Sequence, residues 1–500
     1  SVNGGTPIAF SYDDDGLLTQ AGALVLTRDA TNGFVTGTTL GNVTDAFGYN
    51  GHGEVTAYNA QFLGTTMFAE GFERDNLGRI TTKTETVVGE THVYQYEYHV
   101  RGWLTDVWTD GVHTSHYEYD ANGNRLAHTK ADGTVVTADY DDQDRMLRNG
   151  TTNYTWTNNG EMQTRTETLS GAVTTYSWDE FGNLVEVVLP DGTDITYVID
   201  ARNRRVGKRV NGTLVQGFLY EDQLRIAAEF DGAGNVTRPF VYALSPNSPE
   251  MIPTSSWTWR VFKDHLGSPR LVVDEGSGAV VARMDYDAFG VVTAETGAGA
   301  VPHGFAGGLY DRDTELVRFG ARDYDAASGR WTAKEPLRFT AALNFYEYAG
   351  NDPVNRADAT GLADAATMTQ VAQIVALLVS GAAAVSGGVV ALAVAALPVA
   401  AVGLVIVGAF AAGVGIGVLV AHFGELAVEE AMAVDTVSTA TVCEEENEEE
   451  KVEECAKKSA GVMALCLSQG KSTAVCSRAY DITFARCMHY PIPPESPLPN

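Results

Sequence analysis

An all-β body made of repeated strand-turn-strand units, followed by a helical and partly apolar C-terminal region, is the fold class that the sequence predicts. Three observations carry the prediction. The 500 residues hold 52 glycines against 16 prolines, together with 21 tyrosines, a composition of many tight turns between aromatic strands. Tyrosine and aspartate recur in strings such as YEYDANGNRL (117–126), YSWDEFGNLV (176–185) and YVIDARNRRV (197–206). Residues 365–424 then contain no Asp, Glu, Lys or Arg at all. With 44% apolar and 20% charged residues the chain can bury a large core. Its formal charge of −30, from 34 Lys plus Arg against 64 Asp plus Glu, argues against nucleic acid as a partner, because it repels phosphate.

The repeat zone comes first. Asp120 and Asp141 are 21 residues apart, as are Asp179 and Asp200, and a shorter copy between them, YTWTNNGEM, carries Thr157 in the Asp position. Looser copies begin at Tyr12, Tyr49 and Glu73. Tyr117 and Tyr119 are two apart and so share one strand face, opposite His116 and Glu118; Tyr96 with Tyr98, Tyr154 with Trp156 and Tyr176 with Trp178 repeat the arrangement. Asp120 is placed to accept hydrogen bonds from amides just ahead, and Gly123 supplies a positive φ, so each aromatic strand reverses into the next. One hairpin cannot bury its own aromatic face, and about twenty strands in succession must coil or close.

The apolar zone predicts two helices, 371–397 and 399–421, broken at Pro398. At about 20 residues per crossing they suffice for two membrane spans, with a buried helix pair as the alternative. Ala409, Gly413 and Gly417 form a small-residue stripe. The tail, 425–500, opens on the acidic run CEEENEEEKVEEC and holds all five cysteines. Cys455, Cys466, Cys476 and Cys487 are spaced 11, 10 and 11; eleven residues come to about three full helical turns, so Cys455 shares a helix face with Cys466 and Cys476 with Cys487. A helical hairpin folded at 469–471 therefore predicts the disulfides Cys455–Cys487 and Cys466–Cys476, leaves Cys443 over, and implies an oxidising destination. Reduced thiols buried in the pair are the alternative. Without a CxxC pair, a phosphate loop or an HExxH helix, no metal site and no cofactor are expected.

These repeats resemble the YD-repeat family, which comprises bacterial Rhs proteins, toxin-complex C subunits and animal teneurins. The resemblance covers residues 12–362 and sharpens in FKDHLGSPRLVVDEGSGAVVARMDYDAFGVV (262–292), FGARDYDAASGRWTAKEPLRF (319–339) and LNFYEYAGNDPVNRADATGL (343–362), which look like the Rhs-associated core. It implies a hollow β-shell of spiralling hairpins over 1–261 and a core that plugs one end over 262–362. The C-terminal cargo would then be the apolar hairpin 363–424 and the tail 425–500. It also implies self-cleavage, in which an Arg and two Asp at the places of Arg322, Glu335 and Asp358 cut after the Leu of a DPxGL motif. This chain reads DATGL (358–362), which puts the cut between Leu362 and Ala363; Glu335 stands where the family has Asp, and Ala359 where it has Pro. Two adjacent carboxylates share a proton and so supply one base and one acid, with Arg322 orienting them. Glu335 is a methylene longer than Asp, and a structural Arg322–Glu335 ion pair in a silent site is the alternative. His265, before a Gly-Ser-Pro turn, reads as structural.

The resulting expectation is a polymorphic-toxin delivery protein with a membrane-active or membrane-crossing C-terminal segment, secreted or at the cell surface. An immunity protein or a secretion apparatus would be its partner, and no trans-acting enzyme activity is evident. A teneurin-like adhesion or recognition protein anchored by the apolar hairpin is the runner-up, and an inert remnant the third reading. Beginning at Ser1 without a methionine, the sequence reads as a piece of something longer.

Overall fold

The computed structural model describes residues 7–255, 258–340 and 342–362, and two further strands at 406–410 and 417–421. The chain divides into two compact units, Ser1–Thr367 and Met368–Asn500. In the first, a 23-stranded sheet runs from β1 (Phe10–Tyr12) to β23 (Val236–Pro239), each strand antiparallel to the next. A five-stranded sheet follows, β24 (Met251–Pro253) to β28 (Val292–Thr296), and then a four-stranded one, β29 (Leu309–Asp311) to β32 (Arg330–Trp331). The change of sheet falls between Pro239 and Met251, and position 261/262 lies inside β25 (Thr258–Lys263).

Each reversal is made locally. After β11 (Val112–Tyr119), the Asp120 Oδ1 accepts from the amides of Asn122 at 2.8 Å and Asn124 at 2.9 Å, while Gly123 takes φ 83°. Asp75, Asp141, Asp179, Asp200 and Asp231 do the same. The second carboxylate oxygen binds the side chain four residues on, which is Arg79, Arg145 or Arg204 in some copies and Asn124 or Asn183 in others. Where that fourth residue is acidic, the turn residue is neutral: Asn50 donates to Glu54, and Thr157 to Glu161. The Thr157 hydroxyl still accepts from the amides of Gly160 and Glu161, each at 3.2 Å. The deviant copy therefore keeps its turn without facing two carboxylates at each other.

The aromatic pairs divide their work. Tyr117 is 2% exposed, whereas the Glu118 side chain on the other face is 61% exposed, as alternation requires. The second aromatic of each pair is half-buried and reaches back to the first residue of the preceding strand. Tyr98 donates to the carbonyl of Ile80 (2.6 Å), Tyr119 to Leu104 (2.8 Å), Tyr140 to Arg125 (2.9 Å), Trp178 to Met162 (2.7 Å) and Tyr220 to Arg205 (2.9 Å). Every such bond ties a strand end to its neighbour.

Laid flat at about 4.8 Å per strand, the meander would extend on the order of 100 Å. Its two ends nevertheless meet one small sheet. Val43, Tyr58 and Phe68 pack on Phe262, Leu271 and Val273, while Phe218 and Ile226 pack on Ile252, Val261 and Val272. Adjacent residues of β25 and β26 (Pro269–Asp274) thus face opposite ends of the meander, which explains why β26 is buried at five consecutive positions instead of alternating. Between these ends, Tyr96 and Tyr117 pack on Phe289 and Val354, and Tyr176 and Tyr197 on Leu316. The meander is wrapped around the closing segment.

In the second unit, β33 (Ile406–Phe410) and β34 (Gly417–Ala421) pair antiparallel. These strands occupy part of the range expected to be helical, 399–421, whose other residues lie outside the described ones; β-branched Ile406, Val407, Val418 and Val420 suit strand pairing. Among the described residues no helix is long and apolar enough to cross a membrane. The 371–397 helix, Ala363, the acidic run and the cysteines proposed to pair lie outside the described residues.

Candidate functional site

Arg322, Glu335 and Asp358, 13 and 23 residues apart, converge at the end of the closing segment. Arg322 opens β31 (Arg322–Asp325), directly after a reversal at Gly320 and Ala321 that leaves Phe319 opposite it. Glu335 follows β32, and Asp358 opens the DATGL loop. Two glycines let this loop lie against the reversal, with the Ala321 amide donating to the Thr360 carbonyl at 2.9 Å. Gly361 has φ 65°, and a Cβ there would stand 2.2 Å from the Phe319 carbonyl oxygen; a Cβ on Gly320 would stand 2.3 Å from that of Thr360. Neither position admits a side chain without displacing backbone.

The guanidinium of Arg322 is the hub. Its Nη2 forms ion pairs with Glu335 and with Asp358 (3.3 Å), its Nε donates to the Gly361 carbonyl at 2.6 Å, and its Nη1 to the Phe345 carbonyl at 3.3 Å. Its plane lies over the Trp331 ring, 4.0 Å from the centroid. All three charged side chains are at most 3% exposed. On the other oxygen of Asp358, the Thr360 hydroxyl donates at 2.9 Å and the Leu362 amide at 3.3 Å. Glu335 accepts from the Leu337 amide at 2.9 Å.

One fixed positive charge thus faces two carboxylates out of water. Burial pushes the Glu335 carboxyl up to about 7, with Asp358 adding to the effect and Arg322 opposing it. Near neutrality Glu335 is available as a proton donor, which its usual value would not allow. The guanidinium occupies the space between the carboxylates, so a metal ion there would meet a fixed positive charge.

The sequence singled out the three charged residues and Gly361. It did not single out Thr360, Trp331 or the Phe345 carbonyl, which are recognisable only once the loop is folded. His265 lies elsewhere: its Nε2 is 2.7 Å from the Val354 carbonyl, its Nδ1 is 3.7 Å from buried Glu70, and its ring packs edge-on against Phe72. It ties the meander to the closing segment.

Comparison with known proteins follows this architecture. Mouse teneurin-3 is 27% identical over 323 residues, covering 62% of this chain and 12% of that protein. The tRNA nuclease WapA of Bacillus subtilis (strain 168) is 28% identical over 257 residues, covering 49% of this chain and 11% of the nuclease. The crystal structure of TcdB2-TccC3-TEV is 16% identical with a TM-score of 0.43, over 68% of this chain and 21% of that one. The chain therefore spans only about an eighth of the length of the curated relatives it matches. The Teneurin YD-shell family profile matches residues 4–354, which take in the whole meander and most of the closing segment, and the chain belongs to that family.

Proposed function

We propose that this is the closing part of a secreted or cell-surface YD-shell delivery protein that severs itself from its C-terminal cargo at the bond between Leu362 and Ala363. The observation that carries this reading is the Arg322 guanidinium, which holds the Gly361 carbonyl and two buried carboxylates beside the chain about to leave the closing segment. Asp358 takes a proton from a water as it adds to the Leu362 carbonyl carbon. Protonated Glu335 gives its proton to the Ala363 nitrogen as the C–N bond breaks, leaving a Leu362 carboxylate and a free amine. Arg322 holds Asp358 at 3.3 Å and fixes the loop through the Gly361 carbonyl. The apolar residues 365–424 suit a cargo that needs shielding from water before release, and a membrane is its proposed target.

Denaturing electrophoresis of the purified chain tests the reading. Wild type should run as two fragments and Asp358→Asn as one, and cleavage should slow as the pH rises through about 7, where Glu335 loses its proton. If wild type is intact and Glu335→Asp restores cutting, the longer side chain has silenced the site. If both stay intact, Arg322, Glu335 and Asp358 are structural. The second reading, a teneurin-like surface recognition protein, is favoured by the match to mouse teneurin-3; it predicts that shell and tail stay together on a membrane.

A further inference from the structure

We propose that Asp106, His113 and His116 form a binding site for a transition-metal ion of the zinc(II) class on the solvent face of the meander, remote in sequence from the cleavage site and independent of it. The residues lie on the hairpin of β10 (Leu104–Thr109) and β11. Residues three apart on a regular strand point to opposite faces, so His113 and His116 should diverge. They do not, because the register slips. Val107 pairs with Ser115 and Trp108 with His113, leaving Thr114 without an opposite residue. That bulge turns His113 onto the face of His116, and Asp106 pairs directly with His116.

Three ligand atoms then come within 4.8 Å of one another. The His113 Nε2 is 2.9 Å and the His116 Nδ1 2.7 Å from the same Oδ1 of Asp106. The Trp108 ring stacks on His113 with centroids 4.7 Å apart and fixes its plane. A metal ion between these atoms needs only small side-chain rotations to reach bonds of about 2.0–2.2 Å. Each imidazole would ligate through the nitrogen that faces Asp106 and keep its proton on the other ring nitrogen. For His116 that nitrogen is Nε2, and it faces the Glu118 carboxylate at 3.9 Å, the kind of outer partner that orients a ligating imidazole. Two imidazoles and a carboxylate select zinc, nickel or copper over calcium or magnesium. The nearby pair of His92 with Asp110 offers a single imidazole and no such set. With His113 and His116 side chains 45% and 38% exposed, an ion has access and positions remain open for water.

The test is calorimetric titration of the full chain with Zn(II) in excess Mg(II), after alkylating the cysteines so that tail thiols do not compete. One equivalent should bind, and His113→Ala or Asp106→Asn should weaken it by at least about tenfold. His113 is 45% exposed, so the metal-free melting temperature of His113→Ala should stay close to the wild-type value. On wild type itself, bound Cu(II) should show hyperfine splitting from two imidazole nitrogens in electron paramagnetic resonance. Zinc binding unchanged in the His113→Ala/His116→Ala double variant, or a copper spectrum without nitrogen coupling, overturns the assignment.

Discussion

In the meander the side chains that build the turns and strand ends find their partners within their own hairpin: Asp120 binds amides two and four residues on, and Tyr119 reaches fifteen residues back. In the closing segment the partners are far away in sequence. Arg318 reaches 135 residues to Asn183, Asp323 takes Arg205 from 118 residues away, and Arg270 and Arg260 reach Glu85 and Asp45 across 185 and 215. The first region resembles a stack whose units satisfy themselves and their neighbours. The second holds the stack in register through buried ion pairs, where losing one partner strands a charge. Local turns set the shape of a hairpin, and the long-range pairs set which hairpins face each other.

That contrast predicts a ranking of effects. Asp323→Asn should be the most damaging, because Asp323 bridges Arg205 at 2.8 Å and Arg318 at 2.9 Å with all three at most 3% exposed. A loss of about 3–5 kcal/mol is expected in urea unfolding, and a loss no larger than that of a turn variant would erase the distinction. Next is Glu335→Gln. The folded carboxyl sits near 7, above its ordinary 4.5, so its contribution is complete below pH 4.5 and lost as the pH rises through 7. The change amounts to about 3 kcal/mol. Urea midpoints of wild type should therefore fall from pH 4.5 to pH 8 more steeply than those of the variant, and parallel curves would refute the assignment.

Within the meander the effects shrink. Tyr119→Phe removes one hydrogen bond to the Leu104 carbonyl, a cost of about 0.5–1.5 kcal/mol. Smallest is Thr157→Asp, which sets a second carboxylate against Glu161 and should cost about 0.5 kcal/mol. Adding Glu161→Arg should recover it, since that pair recreates the Asp141–Arg145 arrangement. A double variant no better than the single one would show that the fourth position does not govern the turn.

The same contrast decides what was legible in the sequence. Asp120, Gly123 and the Tyr117–Tyr119 pair announce themselves because their chemistry is complete within a few residues. The five-stranded sheet does not, since β26 is covered on both faces and loses its alternation. The helix expected over 399–421 rested on length and apolarity, which do not distinguish a helix from paired strands rich in valine. At the candidate site, Arg322, Glu335 and Asp358 were found through a family motif, whereas the carbonyls of Gly361 and Phe345 carry no signature in a side-chain code. No metal was expected because the sequence holds no CxxC pair and no HExxH helix; His113 and His116 stand at a spacing that separates them on a regular strand, and only the bulge at Thr114 reunites them.

The asparagines four residues after Asp120 and Asp179 have a further consequence. Where the Asp75, Asp141 and Asp200 copies use this position for an arginine that closes its own turn, Asn124 also accepts from Asn344 at 2.8 Å and Asn183 from Arg318 at 2.8 Å. These two copies are sockets for the closing segment, 59 residues apart in the chain. A unit gained or lost between them moves one socket away from its plug. Upstream of Asn124 the closing segment also grips Asp45 through Arg260 and Glu85 through Arg270, so a hairpin gained or lost there displaces an anchor as well. Copy number is thus held fixed wherever the closing segment grips the meander on both sides of a repeat.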